Sequence, residues 1–190
     1  MLEKIQETAD FLLAKMPIRP KTGIILGTGL GNLVTQMDIE MEIPYETIPN
    51  FPVSTVEGHK GKLILGKLGG VEVLAMQGRF HFYEGYDMKA VTFPVRVMKA
   101  LGIKNLLVSN AAGGMHPDFE IGDLMIITDH INLFPEHPLR GKNFEELGPR
   151  FPDMSEAYCK DFIVKAKQIA ERNHIKVVEG VYVGTSGPTF

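Results

Sequence analysis

Apolar residues recur at helical spacing over residues 2–16: Leu2, Ile5, Ala9, Leu12, Leu13 and Met16, with Glu3, Lys4, Glu7 and Asp10 elsewhere on the circumference. This stripe predicts an amphipathic helix, ended by Pro17 and Pro20, which cannot extend it. The apolar period then shortens. Residues 22–26 (TGIIL), 62–68 and 71–76 are apolar runs of strand length, and Gly69-Gly70 between the last two predicts a tight hairpin. Residues 43–53 are proline-rich and read as irregular chain. Residues 88–101 return to helical spacing, although Pro94 should kink the helix or mark a new start; Gly102 is suited to its C-terminal cap. A strand with a buried apolar middle follows at 104–109, and another at 122–128. Residues 134–152, with four prolines and two glycines, read as loop. Ser155 then predicts the cap of a helix to about residue 173, with Tyr158, Phe162, Ile163, Ala166 and Ile169 as its apolar stripe. Within that helix Cys159 reads as a small packing residue. A last strand is expected at 175–183.

Strands alternating with helices predict a single α/β domain over residues 1–190, built on a mostly parallel sheet. In such sheets ligands gather beyond the carboxyl ends of the strands. Four loops follow that layout, those after Leu26, Met76, Ser109 and Val183, and they carry Thr28, Arg79, His81, Ala111 and Phe190. Arg79, His81 and Tyr83 lie at alternate positions straight after an apolar strand. If the chain stays extended there, all three leave on one side. A guanidinium fork beside an imidazole suits an oxyanion such as phosphate.

Gly27-Thr28-Gly29-Leu30-Gly31 allows a tight turn whose peptide N–H groups can cradle an anion. Taken alone it also fits a plain turn, and its GxGxG spacing is not the GxGxxG of dinucleotide sites. His59, between flexible glycines, fits either a solvated loop or the same site, and Arg79 could instead pair with Glu84 on the surface. The agreement of several segments on one edge and one ligand class favours the oxyanion reading.

Charge and composition narrow the field. With 20 basic and 23 acidic residues the formal net charge is −3, which gives no electrostatic reason to expect nucleic acid or an acidic membrane. One cysteine excludes an internal disulfide and suits a reducing, cytoplasmic setting. The six histidines show no metal-ligand spacing, and neither a GxSxG elbow nor a Walker loop is present. The pocket is therefore expected to hold phosphate through hydrogen bonds, with no metal and no cofactor.

The motifs that carry these residues closely resemble those of the trimeric purine nucleoside phosphorylases. The matching stretches are GIILGTGLGNL from Gly23, VEGHKGKL from Val56, MQGRFHFYEGYDM from Met76, SNAAGGMHPDFEIGDLMIITDHINL from Ser109, GPRFPDMSEAY from Gly148 and GVYVGTSGPTF from Gly180. They occur in family order, and QGRFHxYEG with NAAGG separates them from the sister methylthioadenosine phosphorylases. The resemblance implies a three-layer α/β/α fold, nucleoside phosphorylase-like, around a mixed, mostly parallel central sheet. It implies reversible phosphorolysis of purine ribonucleosides or deoxyribonucleosides to free purine and sugar 1-phosphate, with inorganic phosphate as co-substrate.

By the same carry-over the phosphate site comprises Thr28, His59, Arg79, His81 and the backbone of Ala111. Tyr83 faces the ribose, and Gly113 and Phe190 lie by the purine. Phe151 reaches a neighbouring subunit's pocket in a homotrimer. The family's base-binding motif continues past Phe190, so a chain incomplete at its C-terminus, weak in phosphate binding and in turnover, is expected, and purine specificity is not legible. Two rival readings are a non-catalytic or regulatory phosphate binder and a nucleotide-binding oxidoreductase domain. The glycine spacing and the Arg79/His81 pair count against the second.

Overall fold

The computed structural model describes residues 1–52 and 61–187. The chain divides into two compact units, Met1–Ala111 with Glu136–Pro138, and Ala112–Pro135 with Leu139–Phe190.

In the first unit, helix α1 (Leu2–Lys15) buries Ile5, Ala9 and Leu12 of the predicted stripe, together with Thr8. The Arg19 guanidinium folds back to donate to Leu13 O at 2.7 Å and to Met16 O, satisfying carbonyls that a helix end leaves unpaired. Strands β1 (Thr22–Leu26), β2 (Met37–Pro44), β3 (Lys62–Leu68), β4 (Val71–Gln77) and β5 (Asn105–Val108) form one mixed sheet in the order β2-β3-β4-β1-β5. The β3–β4 hairpin closes through Gly69 and Gly70, whose φ of 57° and 80° are what such a turn needs. Strand β1 pairs in parallel with both β4 and β5. One core cluster gathers Ile24, Leu26, Val34, Met37, Ile64, Val73 and Ala75. Helix α2 (Met88–Ala100) packs on α1 and continues unbroken through Pro94. It ends in a Schellman motif: Gly102 donates to Lys99 O and Ile103 to Met98 O, with Gly102 at φ 86°.

Two first-unit details depart from the sequence reading. Strand β2 runs into chain read as irregular, Ile43 and Pro44, and its first six residues carried no predicted element. Its apolar residues Met37, Ile39, Met41 and Ile43 do alternate with acidic ones, but a bulge between Ile39 and Met41 breaks the pattern, and Ile39 is exposed. Strand β5, read as having a buried apolar middle, exposes Leu106, Leu107 and Val108; it lies at the sheet edge, where among the described residues β1 is its one partner. The glycine loop leads into a 3-10 turn over Gly31–Gln36, with no α-helix after it.

The second unit holds a parallel pair, β6 (Leu124–Asn132) and β7 (Val177–Gly184), joined through helix α3 (Lys160–Arg172). Asp129-His130-Ile131-Asn132, expected beyond the strand, continues β6 after a bulge between Ile127 and Asp129. Helix α3 begins five residues later than Ser155. The reason is local: the Ser155 hydroxyl and amide both donate to the Asp153 carboxylate, at 2.6 and 2.9 Å, so the serine closes a turn and caps nothing. Cys159 is therefore the residue preceding the helix and is exposed, against its reading as a packing residue. Phe162 and Ile169 of the expected stripe are exposed as well, while Ala170 is buried. The helix ends in a second Schellman motif with His174, φ 55°, where glycine is usual. Among the described residues no helix is long and apolar enough to cross a membrane.

Candidate functional site

Strand β1 lies between β4 and β5 and runs parallel to both, so its carboxyl end is flanked by theirs: Leu26 pairs with Gln77, and Ile25 with Val108. The loops that leave these three ends emerge side by side and carry Thr28, Arg79, His81, Tyr83 and Ala111.

After β4 the chain does not stay extended. Gly78 takes a φ of 93°, and residues Phe82–Glu84 form a 3-10 turn ending at Gly85, φ 97°. Phe80 nevertheless turns inward, 4% exposed, against Tyr45, Phe51 and Tyr86 with ring centroids 5.2, 6.4 and 5.7 Å away. Burying Phe80 anchors the segment between Arg79 and His81. Tyr45 fixes the bend from below. Its hydroxyl donates to Gly78 O at 2.6 Å, and its ring lies where a Cβ on Gly61 would stand 2.2 Å away.

The expected trio does come together, through contacts that sequence spacing does not predict. Arg79 Nε donates to His81 Nε2 at 3.0 Å, and His81 stacks on Tyr83 with centroids 4.8 Å apart. His81 Nδ1 meets the Glu84 carboxylate, which also accepts the His81 amide at 3.1 Å. Glu84 is thus bonded to His81, where the surface reading had paired it with Arg79. This bonding assigns the ring proton to Nδ1 and leaves Nε2 as the acceptor. His81, expected to donate to an anion, here steadies the guanidinium. Donation from Nε2 needs a second ring proton and release of Arg79 Nε.

Arg79 Nη1 donates to Ser109 O at 2.8 Å, and the Ser109 hydroxyl accepts the Gly27 amide at 3.0 Å. Gly27 is glycine for a steric reason: a Cβ there would lie 2.3 Å from Ser109 O, 2.6 Å from Asn110 Cα and 2.7 Å from Arg79 Nη1. Gln77 Nε2 donates to Gly31 O at 3.2 Å and ties the far end of the loop to β4. Thr28 and Ala111 are exposed on this edge. A fixed guanidinium, a glycine loop and a threonine hydroxyl on one strand edge can hold a tetrahedral oxyanion.

The other expected residues fall elsewhere. Gly113 and Phe151 belong to the second unit, both exposed, Phe151 at 87%. His59 and Phe190 lie outside the described residues. Ser109, Glu84 and Tyr45 are the residues that sequence reading passed over as site components. Among the described residues no cluster of His, Cys, Asp and Glu could hold a metal ion.

The buried Tyr45 phenol has its ionisation pushed upward by desolvation from the ordinary 10.0. A group whose folded pKa is raised stabilises fully below its unfolded value and loses that stability as pH rises past it. Tyr45→Phe is therefore expected to cost about 1 kcal/mol at neutral pH, by leaving Gly78 O unpaired. Above pH 10 its melting temperature should fall less steeply than that of the wild type. Thermal melts from pH 7 to 11 check this, and parallel curves would refute the assignment.

The Phosphorylase superfamily profile matches residues 21–190. Purine nucleoside phosphorylase 1 of Bacillus subtilis (strain 168) is 55% identical over 190 residues, covering 100% of this chain and 70% of that protein. The purine nucleoside phosphorylase of Bos taurus is 50% identical, covering 99% of this chain and 67% of its own length. Among solved structures, Schistosoma mansoni purine nucleoside phosphorylase in complex with adenosine matches with a TM-score of 0.93 at 45% identity, over 99% of this chain and 68% of that one. A purine nucleoside phosphorylase in complex with ribose-1-phosphate matches with a TM-score of 0.94 at 46% identity, over 100% and 72% of the two chains.

Proposed function

The chain belongs to the phosphorylase superfamily, within it to the purine nucleoside phosphorylases, and from that premise we propose that the edge formed by β4, β1 and β5 is a phosphate site for purine nucleoside phosphorolysis. The observation that carries this reading is the bonding of Arg79 to both Ser109 O and His81 Nε2, which holds a permanent cation beside the glycine loop. Inorganic phosphate bound there would attack C1′ of a purine ribonucleoside or deoxyribonucleoside. The new C1′–O bond forms as the C1′–N bond breaks; the purine leaves with that electron pair and takes up one proton, and the attacking hydrogen phosphate gives one up. The products are free purine and sugar 1-phosphate, and the reaction runs in either direction.

Such a departure leaves an oxocarbenium-like sugar, as in glycoside chemistry. Phosphate is nucleophile and counter-charge at once, so the protein has to position it and supply a field. Arg79 carries the main charge, Thr28 and the Ala111 backbone complete the cradle, and His59 and His81 join from the flanking loops. Tyr83, stacked on His81, faces the ribose, with Gly113 and Phe190 toward the purine. In a homotrimer, Phe151 of one subunit would cover the sugar in the next, a use consistent with its 87% exposure in the single chain. A cytoplasmic setting suits a chain with one cysteine.

The test is inosine supplied with and without inorganic phosphate. Ribose 1-phosphate and hypoxanthine appearing in equal amounts, only with phosphate, is the expected result. Base release at the same rate without phosphate would mean a hydrolase and overturn the reading. Phosphate binding with no ribose 1-phosphate formed would favour a non-catalytic binder.

A further inference from the structure

We propose that Ser109 is a positioning residue of this site, linking the glycine loop after β1 to the guanidinium of Arg79. The proposal rests on the phosphate-site reading above. Ser109 follows directly after β5, one residue beyond the last β1–β5 pair, Ile25 with Val108. The parallel ladder stops there, yet Ser109 makes four further bonds along this edge. The Ser109 amide donates to Ile25 O at 3.1 Å. The hydroxyl accepts the Gly27 amide at 3.0 Å and lies 3.3 Å from Ile25 O, to which it can donate. The carbonyl accepts Arg79 Nη1 at 2.8 Å.

One residue thus sets the position of Gly27, next to Thr28, and of the cation meant to face the same ligand. The geometry also defines the side chain required. It needs a hydroxyl one carbon from the backbone, able to accept and donate at once. Alanine would remove the acceptor of the Gly27 amide, and no other described contact replaces it. Threonine would keep the hydroxyl at the same distance, and the half-buried position leaves a methyl group a way out. Ser109 is not expected to touch phosphate. It acts through Gly27 and Arg79.

Two variants of the full chain, Ser109→Ala and Ser109→Thr, test this through two readouts. The first uses no ligand: hydrogen exchange at the Gly27 amide. Ser109→Ala should accelerate it by about tenfold, the worth of one hydrogen bond, while Ser109→Thr should stay within about threefold of wild type on the same scale. The second is a titration with inorganic phosphate, followed at the Thr28 amide. The dissociation constant should rise about tenfold in the alanine variant and recover in the threonine variant. A structural role alone would lower the melting temperature without this recovery in phosphate affinity. Wild-type exchange in Ser109→Ala, or equal loss in both variants, would overturn the proposal. If the wild-type chain shows no phosphate response at Thr28, the phosphate reading and the positioning role fall together, and altered exchange then marks a purely structural tie.

Discussion

Replacing Arg79 with alanine is expected to weaken inorganic phosphate binding, and any phosphate-dependent turnover, by about a hundredfold or more. The guanidinium sits between Ser109 O and His81 Nε2, 2.8 and 3.0 Å from its nitrogens, so it meets a ligand with its rotamer already restrained. That restraint lowers the entropy cost of binding, and a planar fork presents parallel donors to phosphate oxygens. Lysine keeps the charge but is a point donor on a flexible stem, and it cannot reach Ser109 O and His81 together. Arg79→Lys should therefore recover only a small part of the loss. Phosphate titrations of the three proteins, with thermal melts to verify folding, decide the matter; unchanged affinity in folded Arg79→Ala would remove the residue from the site.

The largest loss of stability expected near the site comes from a single methyl group. Gly27→Ala would put a Cβ 2.3 Å from Ser109 O and 2.6 Å from Asn110 Cα, both backbone atoms that no side-chain rotation can move aside. The ends of β1 and β5 would have to part, at a cost of about 3 kcal/mol. The movement would also stretch the Gly27–Ser109 bond and displace Arg79, so phosphate affinity should fall along with stability. Gly29→Ala in the same loop is the control. Nothing lies within 4 Å of its Cβ position, but its φ of 85° disfavours alanine. That change should cost about 1 kcal/mol. Denaturant unfolding of the pair reads the difference, and equal losses would show that conformational freedom alone explains Gly27.

What could be read in advance follows from the range of each signal. Helix α1 and the β3–β4 hairpin are written in local periodicity and in Gly69-Gly70, and both form where expected. The α/β class followed from alternating strand and helix patterns, and the mixed character of the sheet from the family resemblance. Strand β2 alternates in sequence, but the bulge between Ile39 and Met41 leaves few of its apolar positions buried. The start of α3 was misplaced because a serine ahead of an apolar stripe can cap a helix or close a turn, and the nearby Asp153 decides for the turn. At the site, the adjacency of Arg79, His81 and Tyr83 was legible from their spacing, although Gly78 bends the chain and the contact is made by ring stacking and a hydrogen bond. The supports were not legible. Ser109 reaches Gly27 across 82 residues and Tyr45 reaches Gly78 across 33, and no local pattern encodes either meeting.

The place of β1 between β4 and β5 also has a consequence for how the chain acquires its shape. The hairpin partners β3 and β4 are neighbours in sequence and can pair as soon as both exist, whereas Thr22 must find both Val73 and Asn105. Pairings of such long range close slowly, since the loop entropy is lost before any contact repays it. During synthesis the glycine loop will leave the ribosome well before its second flanking strand, and β1 can have a neighbour on that side only once β5 has been made. The anion edge is therefore expected to mature last in its unit, and refolding followed at Arg79 should lag behind refolding followed at the hairpin.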